Sequence, residues 1–279
     1  MKFFMITNCP AMAEFAVASG VDRIFVDTEI LGKDKRQGHL STVISRHTLE
    51  DVRLLRAHVP KGQLLVRINP IHEQSQSEIN EAIEAGADVL MLPMFSSVRE
   101  VQEFVSAIKG RARCSLLVET LGAVEHLKAC VNVPGVDEVH IGLNDLHLEM
   151  GLDFMFEPLA SGLVDDLTKV LQDSGVPYGI GGIARAGEGL LPAELLLAEH
   201  VRLGSSAAIL SRTFHRQAKT VGEICTQMDF ANEVQKLRDV FKYYSESDSE
   251  ILSAAHVMVQ RNVQTIVESI KARGLRAKR

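Results

Sequence analysis

Short apolar and β-branched runs alternate along the chain with longer stretches whose apolar positions recur at helical spacing. The runs begin near Phe3, Arg23, Gln63, Asp88, Cys114, Asp137, Pro177 and His200. Between them the pattern predicts helices over 11–20, 46–58, 75–85, 98–109, 123–130, 159–174 and 191–199. Val89-Leu-Met-Leu and Ser115-Leu-Leu-Val read as continuous apolar runs, which suits a parallel sheet covered on both faces. Eight strand–helix units in one chain predict an α/β fold, a (β/α)8 TIM barrel.

Forty residues separate the strand starts at 23 and 63, and again those at 137 and 177, against 20 to 26 for the other pairs. These two insertions are expected on the C-terminal face, around the pocket. Beyond residue 214 the strand signal stops, which divides the chain into a barrel catalytic domain over 1–214 and a C-terminal helical extension over 215–279. Helices are predicted there over 228–244 and 249–271. The second carries an apolar stripe of Ile251, Ala255, Met258, Val259, Val263, Ile266, Val267 and Ile270. Such a stripe must cover either its own barrel or a neighbouring subunit, and the second option makes the protein a homo-oligomer.

Composition narrows the function classes. The chain has 279 residues, with 30 Lys and Arg against 36 Asp and Glu, for a net charge of −6. This mild acidity argues against a nucleic-acid partner, whose phosphates call for a basic face. Four scattered cysteines, Cys9, Cys114, Cys130 and Cys225, show neither zinc spacing nor a disulfide framework, so they read as reduced thiols of a cytoplasmic protein. The opening MKFFMITNCPAMA loosely imitates a secretory signal, but its apolar run stops at Thr7, too early for one. It reads as the first strand, and no later segment approaches a membrane span.

In a barrel the chemistry sits at the C-terminal ends of the strands. Here those ends read Phe25-Val-Asp-Thr-Glu29, Val66-Arg67-Ile-Asn69, Met91-Leu-Pro93-Met, Val118-Glu119-Thr120 and Ile141-Gly-Leu-Asn144-Asp145. Glu119 and Asp145, at neighbouring strand mouths, offer two hard oxygen ligands suited to Mg²⁺ or Mn²⁺. Alternatively they cap helices or pair with nearby cations. Arg67, closing the apolar run Leu64-Leu-Val, meets either a substrate anion or a structural partner, Asp27 or Glu29. Gly179-Ile-Gly-Gly182 and Gly204-Ser-Ser206 lie where barrels build phosphate sites, or serve only as tight turns. Among ten histidines, His39 and His47 fall in or near the loop after strand 2.

Taken in order, FVDTE, LLVRIN, GADVLMLPM, LLVET with GAVEHL, and VHIGLNDLHLEMG resemble the HpcH/HpaI aldolase and citrate lyase beta-subunit family. The resemblance covers about residues 1 to 214 and includes VRLGSSAAILSR. It implies a metal-dependent barrel of the phosphoenolpyruvate/pyruvate superfamily, acting through an enolate. Glu119 and Asp145 would then hold the metal. Arg67 would contact the carboxylate or enolate oxygen of the substrate, the pocket would include Pro93, Asn144 and Gly182, and Gly86-Ala-Asp would shape its wall. The family's pyruvate aldolases carry Glu-His after strand 2, whereas here Ile30 follows Glu29. Either proton transfer falls to Glu29 with His39 of the longer loop, or to a metal-bound water, or the chemistry differs.

The leading expectation is a divalent-metal-dependent carbon–carbon lyase acting on 4-hydroxy-2-oxo acids. Val-Arg-Ile-Asn at strand 3 is closer to the acyl-CoA lyase branch, which makes a citrate lyase beta or citramalyl-CoA type of thioester the alternative substrate. A third reading is a degenerate barrel kept for binding or assembly.

Overall fold

The computed structural model describes residues 1–32 and 46–277, with side chains through residue 273. Eight parallel strands close in sequence order into one barrel: β1 Lys2–Ile6, β2 Arg23–Asp27, β3 Leu64–Arg67, β4 Val89–Leu92, β5 Arg113–Val118, β6 Glu138–Ile141, β7 Tyr178–Ile183 and β8 Ala207–Leu210. Closure is made by β8 against β1, with Phe4 opposite Ile209.

The continuous apolar runs follow from burial on both faces. Phe4, Phe25, Leu65, Val89, Met91, Leu117 and Ala207 point inward and fill the barrel. Their neighbours Phe3, Ile24, Leu64, Leu90, Leu116 and Val139 point outward beneath the helices. Each class follows the two-residue period of a strand.

Helices cover the outer face. They are α1 Pro10–Ala18, α2 Leu49–Arg56, α3 Ser75–Glu84, α4 Val98–Ile108, α5 Leu121–Glu125, α6 Leu127–Val131, α7 Leu143–Glu149, α8 Glu157–Ala160, α9 Leu163–Ser174 and α10 Ala193–Arg202, followed by α11 Val221–Gln227, α12 Phe230–Ser245 and α13 Ser249–Ala277. Thr48 opens α2 with a reciprocal capping box to Asp51. The insertion after β6 folds into α7, which brings Asn144 and Asp145 to the barrel mouth, and α8, with Met155 on the segment that joins them.

The eighth strand starts later than the expected His200. His200 and Arg202 belong to α10, where the His200 Nδ1 meets the Ser205 hydroxyl at 2.8 Å and Arg202 pairs with Glu199 and Asp165. The apolar members of His200-Val-Arg-Leu alternate with polar ones that find partners on the helix side, so the run imitates a strand. One consequence concerns Gly204-Ser-Ser206. It enters β8 at the N-terminal face, opposite the mouth, and is excluded from any phosphate site there.

The stripe on α13 is largely covered within the chain. Ala255, Val259, Val263 and Val267 are buried, with α13 lying against α10 and α8. Ile251 and Met258, expected on the same stripe, turn outward at 38% and 51% exposure. The apolar surface that suggested a neighbouring subunit is thus mostly taken up by this barrel. Among the described residues no helix is long and apolar enough to cross a membrane.

Candidate active site

At the C-terminal mouth a cavity of about 380 Å³ opens between the strand ends. Its charged lining comes from Asp27 on β2, Arg67 on β3, Glu119 after β5, Asp145 on α7 and Arg212 after β8. Asn144 and Gly182 also line it.

Arg67 and Asp27 are opposite each other in the β2–β3 register, which directs the guanidinium onto the carboxylate. Nε and Nη2 of Arg67 donate to the two Asp27 oxygens, both at 2.9 Å. Glu29 stands behind them, 3.4 Å from Nε. Burial alone would lower the Arg67 pKa, but Asp27 and Glu29 outweigh it and hold the group above its ordinary value. The guanidinium is therefore permanently charged, and its fork is oriented before any substrate arrives. His47 completes this corner by accepting from the Asp27 backbone N–H at 3.1 Å.

Glu119 is buried to 2% exposure, and its environment opposes ionisation. Burial raises its pKa well above the ordinary range, Arg67 pulls it down, and Asp145 and Glu29 push it up again. Met94, in the left-handed region at φ 52°, points its N–H at Glu119 Oε1 from 3.2 Å. Thr120 bonds the Phe95 carbonyl at 2.6 Å, which stitches the β4 and β5 mouths together. Gly142 is required beside it, because a Cβ there would stand 2.9 Å from Glu119 Oε2.

This donor set fits a divalent cation. Two hard-oxygen carboxylates share one cavity, and Glu119 lacks enough nearby positive charge to ionise comfortably. Among the described residues no group of three or more His, Cys, Asp or Glu side chains is placed to hold a metal ion, so a cation here would be held by Glu119 and Asp145 plus water or substrate oxygens. Mg²⁺ tolerates such sparse protein ligation.

The structure thus brings Arg67, Glu119, Asp145, Asn144 and Gly182 together. It does not bring Glu29 into the lining, because that carboxylate is occupied behind Arg67. Pro93 is also absent from the lining, and the contribution of its loop is the backbone N–H of Met94. Gly86-Ala-Asp lies at the opposite end of the barrel, where Asp88 pairs with Arg56 at 2.7 Å and accepts from Leu64 N. His39 falls outside the described residues.

Sequence reasoning assigned no role to Arg212, Met155 or His140, all of which line the cavity. Arg212 had a signal, since it follows an apolar strand run much as Arg67 closes one. His140 sits deeper and donates Nε2–H to the Gly181 carbonyl at 3.0 Å. Gly181 takes φ 50° where the β7–β8 register is interrupted, and this turns its carbonyl toward His140.

The sequence pattern of the family described as HpcH/HpaI aldolase/citrate lyase matches residues 1–155. The 2-keto-3-deoxy-L-rhamnonate aldolase of Klebsiella pneumoniae is 29% identical over 171 residues, which are 50% of this chain and 58% of that protein. The chain thus spans less than two thirds of the length of that curated relative. Among solved structures, CitE of Mycobacterium tuberculosis in complex with magnesium and pyruvate superposes with a TM-score of 0.62 at 14% identity, covering 93% of this chain and 97% of that one. The HpcH/HpaI aldolase of Desulfitobacterium hafniense gives 0.57 at 17% identity, covering 89% and 94%. These structural likenesses establish the shared fold.

Proposed function

Because the chain belongs to the HpcH/HpaI aldolase/citrate lyase family, we propose that it is a divalent-metal-dependent carbon–carbon lyase that cleaves or forms 4-hydroxy-2-oxo acids through a pyruvate-type enolate. The observation that carries this reading is the convergence of Glu119, Asp145 and Arg67 on one cavity at the barrel mouth. Glu119 and Asp145 would hold Mg²⁺ or Mn²⁺, which when bound supplies Lewis-acid stabilisation of negative charge on the oxo acid.

The protein's own groups supply the rest. Arg67, fixed by Asp27 and backed by Glu29, presents positive charge toward the cavity where the enolate oxygen develops. Cleavage breaks the C3–C4 bond, with the 4-hydroxyl proton leaving to a base and the electron pair passing to the C2 oxygen. Protonation at C3 then gives the methyl group of pyruvate. Asn144 and Gly182 bound the space in which the substrate turns. Four unpaired thiols support a cytosolic setting.

The test is deuterium exchange into the methyl group of pyruvate, read by proton NMR with Mn²⁺ or Mg²⁺ and a chelator control. Metal-dependent exchange is expected. Its absence overturns the pyruvate-enolate reading, and a melting-temperature rise with a coenzyme A thioester alone would then favour the thioester branch.

A further inference from the structure

Between the charged groups of its two ends the barrel is filled by apolar side chains, with Ser115 on β5 and His140 on β6 as polar exceptions, exposed to 1% and 2%. Both face a small pocket of about 30 Å³ on the N-terminal side of the core, and His140 also lines the cavity at the mouth. The ring has room because β7 places a glycine beside it. A Cβ at Gly179 would stand 2.5 Å from His140 Nδ1 and 2.7 Å from the Ala207 carbonyl oxygen.

Among the described residues neither Ser115 Oγ nor His140 Nδ1 has a hydrogen-bond partner. Burial lowers the His140 pKa to about 4, so the ring is neutral at ordinary pH. Its Nε2 faces the Gly181 carbonyl, which can only accept, so the proton sits on Nε2 and Nδ1 is left as a buried acceptor. Such groups are costly to leave unpaired. Arg23 and Glu138, which also line the pocket, are committed to each other. The pocket has room for one or two waters, at about 10–15 Å³ each. A water that accepts from the Ser115 hydroxyl and donates to Nδ1 would satisfy both atoms.

We propose that this pocket is a hydration site whose water locks the His140 tautomer, and that His140 is thereby a positioning residue that masks the Gly181 carbonyl beneath the active cavity. The kinetic side of the inference rests on the lyase reading above. Gly181 lines the mouth cavity, and its carbonyl oxygen is the negative end of a peptide dipole. Left without a donor, it would set negative charge beside the space in which the enolate develops. The Nε2–H of His140 cancels that charge, whereas the other tautomer would oppose two lone pairs at 3.0 Å.

The experiment combines nitrogen-15 NMR of the histidine rings in the full-length protein with methyl-exchange kinetics of pyruvate and Mg²⁺, expressed per folded molecule. Wild type should show His140 protonated at Nε2 with a hydrogen-bonded Nδ1, and Ser115→Val should shift that Nδ1 signal to the position of a free acceptor. In His140→Asn the amide reaches only as far as Nδ1 does, so kcat should fall about ten- to a hundredfold with a smaller change in KM. In His140→Gln the amide reaches the Nε2 position and should restore most of kcat. A ring that merely fills the core would lose stability in both variants and leave kcat per folded molecule equal.

Equal kcat in the two variants overturns the positioning role. A proton on Nδ1, or an Nδ1 signal indifferent to Ser115→Val, overturns the hydration site. If a His140 variant does not fold, kcat of Ser115→Val decides the role in its place: a severalfold fall supports it, and wild-type kcat rejects it. Absence of exchange in the wild type overturns the lyase reading, and the spectra then decide the hydration site and tautomer by themselves.

Discussion

The two ends of this barrel bury the same kinds of group to opposite effect. At the N-terminal end Arg23, 4% exposed, clasps Glu138 through both terminal nitrogens, and Arg113 adds a third contact at 3.1 Å. Burial would raise the Glu138 carboxyl, but these arginines prevail and hold it below its ordinary pKa. At the C-terminal end burial drives the Glu119 pKa up, Arg67, bound to Asp27, offsets this only in part, and Asp145 and Glu29 add to the rise. The lower cluster supplies its own counter-charges, whereas the upper one needs positive charge from outside. This difference makes the upper end the candidate site and the lower end part of the scaffold, although a list of buried ionisable residues would not separate them.

Removing a carboxylate from the upper end should give the largest effect. Asp145→Asn keeps the shape of the side chain and lowers the repulsion on Glu119, so folding should persist. Turnover should fall by about a thousandfold or more, the scale of losing one strong electrostatic contribution to the transition state. Metal-dependent methyl exchange and the metal-induced rise in melting temperature report the two consequences separately. Wild-type exchange in this variant would remove Asp145 from the site.

The lower end should answer in stability instead. Glu138→Ala leaves Arg23 buried over the Phe4 ring without its carboxylate, a loss of about 3–5 kcal/mol in unfolding free energy. Urea denaturation checks this, and kcat per folded molecule should stay near wild type because Glu138 lies at the other end of the strands. A drop in kcat larger than the loss of folded protein would show that the two ends are coupled.

Much of this contrast was legible in the sequence, for identifiable reasons. Strands buried on both faces leave continuous apolar runs, and Arg67 and Glu119 stood out because each directly follows such a run. Asp145 stood out for its place in the Gly142-Leu-Asn-Asp-Leu segment. The choice of Asp27 over Glu29 as the main partner of Arg67 was not legible, since it depends on the lateral register that sets residue 27 opposite residue 67. The misplaced β8 start came from an apolar run that a helix could also use. It carried Gly204-Ser-Ser206 to the wrong end of the barrel in the sequence reading. Pro93 was implicated through a neighbour whose contribution is a backbone N–H, which side-chain identity does not reveal.

Between the two ends lies a pair of imidazoles that should give the smallest effect. Burial lowers His140 to about 4, opposed by its bond to Gly181 and by Glu138, and reinforced by the charge of Arg67. Burial lowers His200 to about 3, with His140 and the chain's N-terminal amine adding to the shift. Both lie below the value of about 6.5 expected in the unfolded chain. Between that value and pH 4 the unfolded chain therefore binds more protons, so stability is full above pH 6.5 and declines as the pH falls. At pH 5 each imidazole should cost about 2 kcal/mol. Urea midpoints from pH 7.5 to 4.5 measure the slope, and His200→Gln, which can keep a bond to Ser205, should flatten it by about half. An unchanged slope in that variant would clear His200 and leave the acid sensitivity to His140 and to carboxylates held below their ordinary pKa, Glu138 among them.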